Sequence, residues 1–389
     1  MLRVLTLTTL FPHAAAPNLG VFVERQTLGL AAHPDVDLRV VAPVGLPPWP
    51  LSRHGHYAPL ARLPMREAWK GLDVRRPRFL TLPGTAGRFH VSALVRTLTP
   101  LLADIRRDFA FDVIDAEFFF PDGPAAVALG KALGVPVSIK ARGADIHHWG
   151  TAPATACQVI TAGRQADGLL AVSQAMRADM AALGIPADTI RVHHTGVDLD
   201  RFAPRERTAA KAAFGVSGPL VVSVGALIAR KGHDVVIDAV AALPGVSLLI
   251  AGAGEARTAL QAKIAALGVG DRARLLGALP HDDLPALIAA ADVMALASAS
   301  EGLANAWVEA LACGTPIVIT DAGGAREVVT DAAYGRVVAR EPSAFAGAIG
   351  DVLAAPPTQE AVRRGAERFT WGANTDALYA HLRGLVSAL

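Results

Sequence analysis

Two doubly wound α/β domains are predicted by three observations. The chain has 389 residues, more than one hydrophobic core fills, since domains run to roughly 100–200 residues. Its first half repeats a short branched apolar strand, a loop and an amphipathic helix, the pattern of a parallel sheet covered on both faces. That alternation breaks near Asp198–Gly218, around Pro204 and Gly215, and starts afresh at Leu220–Val224.

In the first half, strands are predicted at Leu2–Leu10, Val36–Val41, Val113–Ala116, Val135–Lys140, Gly168–Val172 and Ile190–His193. Helices are predicted near Val21–Ala32, Arg88–Arg107, Gly123–Leu133, Ala154–Gln165 and Gln174–Leu183, the last with Ser173 as N-cap. The second half gives strands at Leu220–Val224, Ser247–Ala251, Ala273–Leu276, Val293–Ala297 and Ile317–Thr320. Its helices fall at about Gly232–Leu243, Ala256–Leu267, Leu284–Ala290 and Ala304–Cys313. Beyond Ser343 the chain reads as helices, with Trp371 starting a last one that packs back on the first domain.

Composition bounds the function. Hydrophobic residues make up 52% of the chain, ample for two cores. The balance of 37 basic and 35 acidic residues, net +2, excludes a strongly basic nucleic-acid binder. Cys157 and Cys313 stand far apart without metal-ligand or disulfide spacing, which favours a reducing compartment. The first 16 residues superficially resemble a secretion signal, but they also read as a first strand running into a loop, and cleavage would delete that strand. No run of 18 apolar residues suggests a membrane span.

Residues 46–84 depart from both patterns. The stretch is Pro-rich and carries Arg53, Arg62, Arg66, Lys70, Arg75, Arg76 and Arg78 with Trp49, Tyr57, Met65 and Trp69 interleaved. Such a mixture suits peripheral contact with an anionic membrane, and equally a solvated excursion whose tryptophans close over the core.

Ligands of doubly wound sheets sit beyond the carboxyl ends of the strands, and the chemistry-bearing residues fall there. Glu301 lies in the loop after Val293–Ala297 and Glu309 within the next helix, among Val308, Leu311 and Ala312. A carboxylate on an apolar helix face needs a hydrogen-bonding partner, and a vicinal diol supplies two donors. Gly302, Leu303 and Ala304 let the backbone approach a ligand, ahead of a helix N-terminus that favours an anion. Gly225 to His233, containing Arg230 and Lys231, follow the opening strand of the second domain and form a pyrophosphate seat. Gly252 and Gly254 make a weaker Gly-rich turn.

In the first domain Gly20 allows close approach at a helix start, Arg142 is placed to steady a phosphate, and Asp145 to accept from an acceptor hydroxyl. The pairs His147–His148 and His193–His194, read as strand neighbours pointing to opposite faces, do not make a metal site.

These motifs, in this order, resemble glycosyltransferase family 4. The resemblance rests on Gly20 and its loop, Gly143-Ala144-Asp145, Thr195-Gly196-Val197-Asp198 with Phe202, Lys231-Gly232, Gly252-Ala253-Gly254, and Glu301 to Glu309 running on to Gly314-Thr315-Pro316. It implies the GT-B fold: two Rossmann-like domains facing across a cleft, an acceptor-side domain at 1–200, a donor-binding domain at 201–370, and a helix at 371–389 returning to the first. It implies a retaining transferase that uses a nucleotide diphosphate sugar and a glycan or lipid-linked acceptor, needs no metal or other cofactor, and works in the cytoplasm at or near the inner membrane face. Glu309 would hold the ribose, Glu301 the sugar hydroxyls, Lys231 the diphosphate, and backbone around Gly20, Gly302 and Leu303 the reaction centre. Three positions depart from the family: Ala226 where Arg is frequent, leaving Arg230 to supply the charge, Arg142 where His is common, and Thr195 where Asn is usual. A sugar-nucleotide epimerase or hydrolase, or a non-catalytic sugar-nucleotide binder, are the rival readings.

Overall fold

The computed structural model describes residues 1–387. The chain divides into two compact units, the first made of Met1–Thr195 and the segment from Trp371 onward, the second of Gly196–Thr370.

In the first unit the strands are β1 (Leu2–Leu7), β2 (Val36–Val41), β3 (Val44–Leu46), β4 (Arg66–Trp69), β5 (Leu72–Arg75), β6 (Arg78–Leu80), β7 (Val113–Ala116), β8 (Val137–Ala141), β9 (Gly168–Ala171) and β10 (Ile190–Val192). Eight of them form one sheet in the order β10-β9-β8-β7-β1-β2-β5-β4, and β3 pairs with β6. All pairings are parallel except β4 with β5. The central strands are buried on both faces, as their uninterrupted apolar sequences require. Ser173 caps the helix Gln174–Ala182 by accepting from the Met176 amide at 3.0 Å.

Residues 46–84 are more regular than their Pro-rich composition suggests. The two-residue connection Lys70–Gly71, both at positive φ (49° and 90°), reverses β4 into β5 and extends the sheet edge. A left-handed first residue is what a tight hairpin demands, and Asn or Asp usually signals it; Lys hides the turn. The excursion is tied down by buried Glu24, which accepts from Trp69 Nε1 and pairs with Lys70 Nζ at 2.8 Å.

The helix Trp371–Ser387 completes the first unit by packing on the helix Val21–Ala31. Tyr379 stacks on His33 with centroids 4.0 Å apart. His381 Nε2 lies 3.0 Å from Ser138 Oγ, and His193 Nε2 donates to the Asn374 carbonyl at 2.8 Å. Burial holds both histidines below their ordinary range, His381 at about 4, so the helix is joined to the sheet through neutral imidazoles, its own His381 and His193.

The second unit holds β11 (Leu220–Val224), β12 (Ser247–Ala251), β13 (Ala273–Gly277), β14 (Val293–Leu296), β15 (Ile317–Thr320) and β16 (Gly335–Val338) in the parallel order β13-β12-β11-β14-β15-β16. The sequence periodicity gave no sign of β16. The residues just after Thr195 belong to this unit because they are bonded to it: Val197 N donates to Phe369 O at 2.6 Å, and Arg363 reaches the carbonyls of Leu199 and Phe202 at 2.8 and 2.9 Å.

Candidate active site

In the second unit the strand order reverses at β11, which has β12 on one side and β14 on the other. The loops leaving β11 and β14 at this switch point bring together the residues singled out above. Lys231 Nζ meets Glu301 Oε1 at 2.5 Å, Arg230 lies 3.7 Å from Glu301 Oε2, and Ser298 Oγ donates to Glu301 Oε1 at 2.7 Å. Glu301 is only 7% exposed, so its charge is held by these partners rather than by bulk water. Two cations face one carboxylate, leaving the seat net positive.

The loop geometry follows from two residues. Gly232 sits at φ 67° and a Cβ there would collide with the Ala297 carbonyl, so the β11 loop can lie against the β14 loop only with glycine. His233 is the other. Its Nε2 donates to the Ala226 carbonyl at 3.2 Å, leaving Nδ1, 2.9 Å from Ser223 Oγ, to accept. Burial keeps this imidazole neutral, pushed down to about 4. Gly252 and Gly254 likewise pass the Gly225 and Leu227 carbonyls at a distance that a Cβ would not allow, which seats the Gly225 loop against the β12 loop.

Glu309 lies inside the helix Asn305–Ala312, is 8% exposed, and accepts from His281 Nε2 at 2.9 Å. His281 comes from the loop after β13 and rests its ring edge on Phe202, centroids 5.6 Å apart. That helix starts at Ala304 without a side-chain cap, so first-turn amides are available to an anion. Gly302, Leu303 and Ala304 are all buried between Glu301 and that helix start, and Gly302 O accepts from Gly324 N at 2.8 Å.

In the first unit Gly20 opens the helix Val21–Ala31 at φ 63°, where a Cβ would strike the Leu10 carbonyl. Arg142 and Asp145 are committed internally. The Asp145 carboxylate is fully buried and accepts from the amides of Phe119 (2.9 Å), Gly143 (2.7 Å), Arg142 (3.0 Å) and Ile146 (3.2 Å). It shapes the turn and offers no edge to solvent, contrary to the hydroxyl-binding role expected of it. Arg142 forms an ion pair with buried Glu117, donates to the Glu117 carbonyl at 2.6 Å and stacks on Phe22 at 4.9 Å. His147 and His148 are not strand neighbours but lie on a π-helical turn, Asp145–Trp149, where His147 Nε2 meets Asp179 at 2.8 Å.

The structure adds residues that no motif marked. Lys140, fully buried, donates to Gln26 Oε1 at 2.5 Å and to His193 Nδ1 at 2.6 Å. Burial and nearby Arg142 push its ammonium down to about 7. Beside it burial and Glu117 raise Asp115 well above the carboxylate range, while Arg142 and Lys140 outweigh burial at Glu117 and lower it. Arg340 spans the Ala297 and Ala229 carbonyls at 2.8 and 3.0 Å, stitching the two loops of the second unit together. Acid or base at alternate positions near a strand end was the available signal for Asp115, Glu117, Lys140 and Arg142; His281 and Arg340 carried none. Among the described residues no group of three or more His, Cys, Asp and Glu side chains is placed to hold a metal ion.

Comparison with known proteins gives this geometry its setting. Residues 19–201 match the model for Glycosyltransferase Family 4, and residues 204–369 that for Glycosyl transferases group 1. The D-inositol 3-phosphate glycosyltransferase of Mycolicibacterium vanbaalenii is 38% identical over 211 residues, covering 49% of this chain and 47% of that protein. Its namesake in Mycobacterium tuberculosis is 39% identical over 208 residues, covering 50% and 43%. The match thus spans about half the length of these curated relatives. Among solved structures, the sucrose-phosphate synthase of Thermosynechococcus elongatus aligns with a TM-score of 0.82 at 19% identity over 100% of both chains. Anabaena HepE in complex with UDP aligns at 0.74 and 20% identity over 99% of this chain and 100% of that one. At such identities the likeness speaks for the fold alone, two Rossmann-like units of GT-B type. Since the two family models match both units consecutively and in order, the chain belongs to the GT-B glycosyltransferases described by Glycosyltransferase Family 4 and Glycosyl transferases group 1.

Proposed function

We propose that the protein moves a sugar from a nucleotide diphosphate sugar to an acceptor hydroxyl with retention of anomeric configuration. The observation that carries this reading is the meeting of Arg230, Lys231, Glu301 and the uncapped helix start at the switch point of the second sheet, with Glu309 about one turn into that helix. Arg230, Lys231 and the first-turn amides hold the diphosphate; Glu309 exchanges His281 for the ribose hydroxyls; Glu301 and the backbone of Gly302, Leu303 and Ala304 orient the sugar. The loops at Gly225, Gly252 and Gly254 frame the nucleotide. The bond from the anomeric carbon to the diphosphate oxygen breaks with its electron pair on that oxygen, where the cations stabilise it. The acceptor oxygen bonds to the same face, and its proton passes to the departing diphosphate. In the first unit Gly20 lets the start of the helix Val21–Ala31 lie against the chain leaving β1, and Arg142 and Asp145 set the turn after β8.

Support for the donor class comes from HepE, solved with UDP and with UDP-glucose, and for a polyol acceptor from the D-inositol 3-phosphate glycosyltransferases. The test is product analysis with a labelled nucleotide diphosphate sugar and an acceptor panel. Label should move to one acceptor well above background hydrolysis; epimerised donor, or free sugar formed at a rate indifferent to every acceptor, would defeat the reading.

We also propose that residues 46–84 rest on an anionic membrane surface at the cytoplasmic face. No helix among the described residues is long and apolar enough to cross a membrane. Trp49 is 74% exposed, and Leu51, Met65, Leu80 and Leu82 are exposed with it, beside exposed Arg53 and Arg62. Arg75, Arg76 and Arg78 are not available to lipid, because they face Asp104, Glu67 and main-chain carbonyls respectively. Changing Trp49 and Leu51 to Ser together with Arg53 and Arg62 to Gln should abolish co-sedimentation with phosphatidylserine vesicles; unchanged co-sedimentation would count against the surface.

A further inference from the structure

Glu309 gives one carboxylate oxygen to a partner and leaves the other without one. Oε1 accepts from His281 Nε2 at 2.9 Å, and Oε2 takes no hydrogen bond from any described residue. The side chain leaves a helix whose Trp307, Val308, Ala310, Leu311 and Ala312 are all buried, and is itself nearly so. A carboxylate so placed loses most of its water, and the bond from His281 carries much of what stabilises it before a diol arrives.

The backbone under His281 is fixed independently of its ring. Arg201 donates to the His281 carbonyl and pairs with Asp282 at 2.7 Å, and the Asp283 amide donates to the Pro280 carbonyl at 3.0 Å. Phe202 is buried, is held through its own carbonyl by Arg363 at 2.9 Å, and gives the His281 ring a fixed edge to rest on. The imidazole itself is 22% exposed. Freedom therefore lies with the ring: rotation about its side-chain torsions takes Nε2 off Glu309 and toward solvent while the loop stays in place.

A ribose diol and the imidazole N–H compete for one oxygen. A carboxylate meets a diol best with both oxygens, and Oε1 is one of them. The histidine bond stabilises the free protein and not the complex, so it subtracts from the affinity of any ligand that uses Glu309. A contact made in about nine molecules of ten lowers that affinity about tenfold.

We propose that His281 is a latch on Glu309, closed in the free protein and opened by the ribose of each nucleotide that binds, the sugar donor and the spent nucleoside diphosphate alike. The inference rests on reading the second unit as the nucleotide-sugar site of a glycosyltransferase, and adds the positioning residue that sets how tightly that site holds and how readily it releases. Closing behind the departing nucleoside diphosphate, His281 meets the carboxylate that the ribose gives up, and no charge is stranded on an apolar helix.

Calorimetric titration of the whole chain with UDP, ADP and GDP tests it, with pyrophosphate as the ligand that has no ribose. At least one nucleoside diphosphate should bind the unmodified protein. His281→Ala should tighten that binding about tenfold and lower the thermal midpoint of the free protein. His281→Phe, which keeps a ring against Phe202 but no donor, should tighten it likewise. His281→Gln keeps an N–H donor of similar reach and should return the affinity close to that of the unmodified protein. Pyrophosphate binding should not change in any of them. On a Glu309→Ala background, which has nothing to latch, His281→Ala should have no effect on nucleotide affinity. Nucleotide binding weakened or unchanged by both His281→Ala and His281→Phe, the same tightening on the Glu309→Ala background, or pyrophosphate tightened along with the nucleotide would overturn the latch, as would absence of nucleotide binding by the unmodified protein. Failure of the glycosyltransferase reading registers separately, as a latch that behaves as described in a protein that moves label to no acceptor.

Discussion

Glu309→Gln should weaken nucleotide diphosphate sugar binding by about ten- to a hundredfold, the equivalent of about 1.5–3 kcal/mol for hydrogen bonds to a charged group. Glu309 is nearly buried on an apolar helix and has His281 as its hydrogen-bond partner at 2.9 Å. A vicinal diol reaching this carboxylate offers two donors to two oxygens; glutamine keeps the shape but only one acceptor oxygen and no charge. Because the ribose contact is the same in the ground and transition states, the loss should fall on KM and leave kcat close to that of the unmodified enzyme. Calorimetric titration with the donor, beside steady-state kinetics, reads both. Unchanged donor affinity would remove Glu309 from the nucleotide site.

Lys231→Ala should act on the other term. Charge builds on the diphosphate as the glycosidic bond breaks, so a cation aimed there contributes more in the transition state than before it. Loss of one such group costs about 10²–10³-fold in turnover, and the change should exceed any change in KM. Lys231 also neutralises Glu301 at 2.5 Å, so its removal leaves a mostly buried carboxylate with Arg230 at 3.7 Å and Ser298 as partners. Pairing Lys231→Ala with Glu301→Gln separates the effects: stability should recover in the double variant and turnover should not. If turnover recovers too, Lys231 acts only by holding Glu301.

Much of this was legible in the sequence. The central strands of both sheets are buried on both faces, and a continuous branched apolar run bounded by turns has few other ways to fold. Five predicted strands of the second unit lie where expected, to within a residue or two. Arg230, Lys231 and Glu301 could be placed because each lies in the loop that follows such a strand, Glu309 because it lies in the helix after the Glu301 loop, and strand ends converge in a parallel sheet. What escaped depends on partners distant in sequence. The β4–β5 hairpin turns at Lys70, a residue with no turn preference, and the His281–Glu309 pair joins residues whose nearness is set by how the loop after β13 lies against the helix Asn305–Ala312. Asp145 shows the converse: its position at a strand end was read correctly, but four backbone amides claim its carboxylate.

The first unit is interrupted in sequence, since the helix beginning at Trp371 joins it only after the whole of Gly196–Thr370. During synthesis the surface awaiting that helix, including Leu30, Ser138 and Gly168, therefore stays uncovered while the second unit emerges and folds. Assembly on the ribosome runs out of chain order: the later unit can finish before the earlier one, and a helix made after it closes the first.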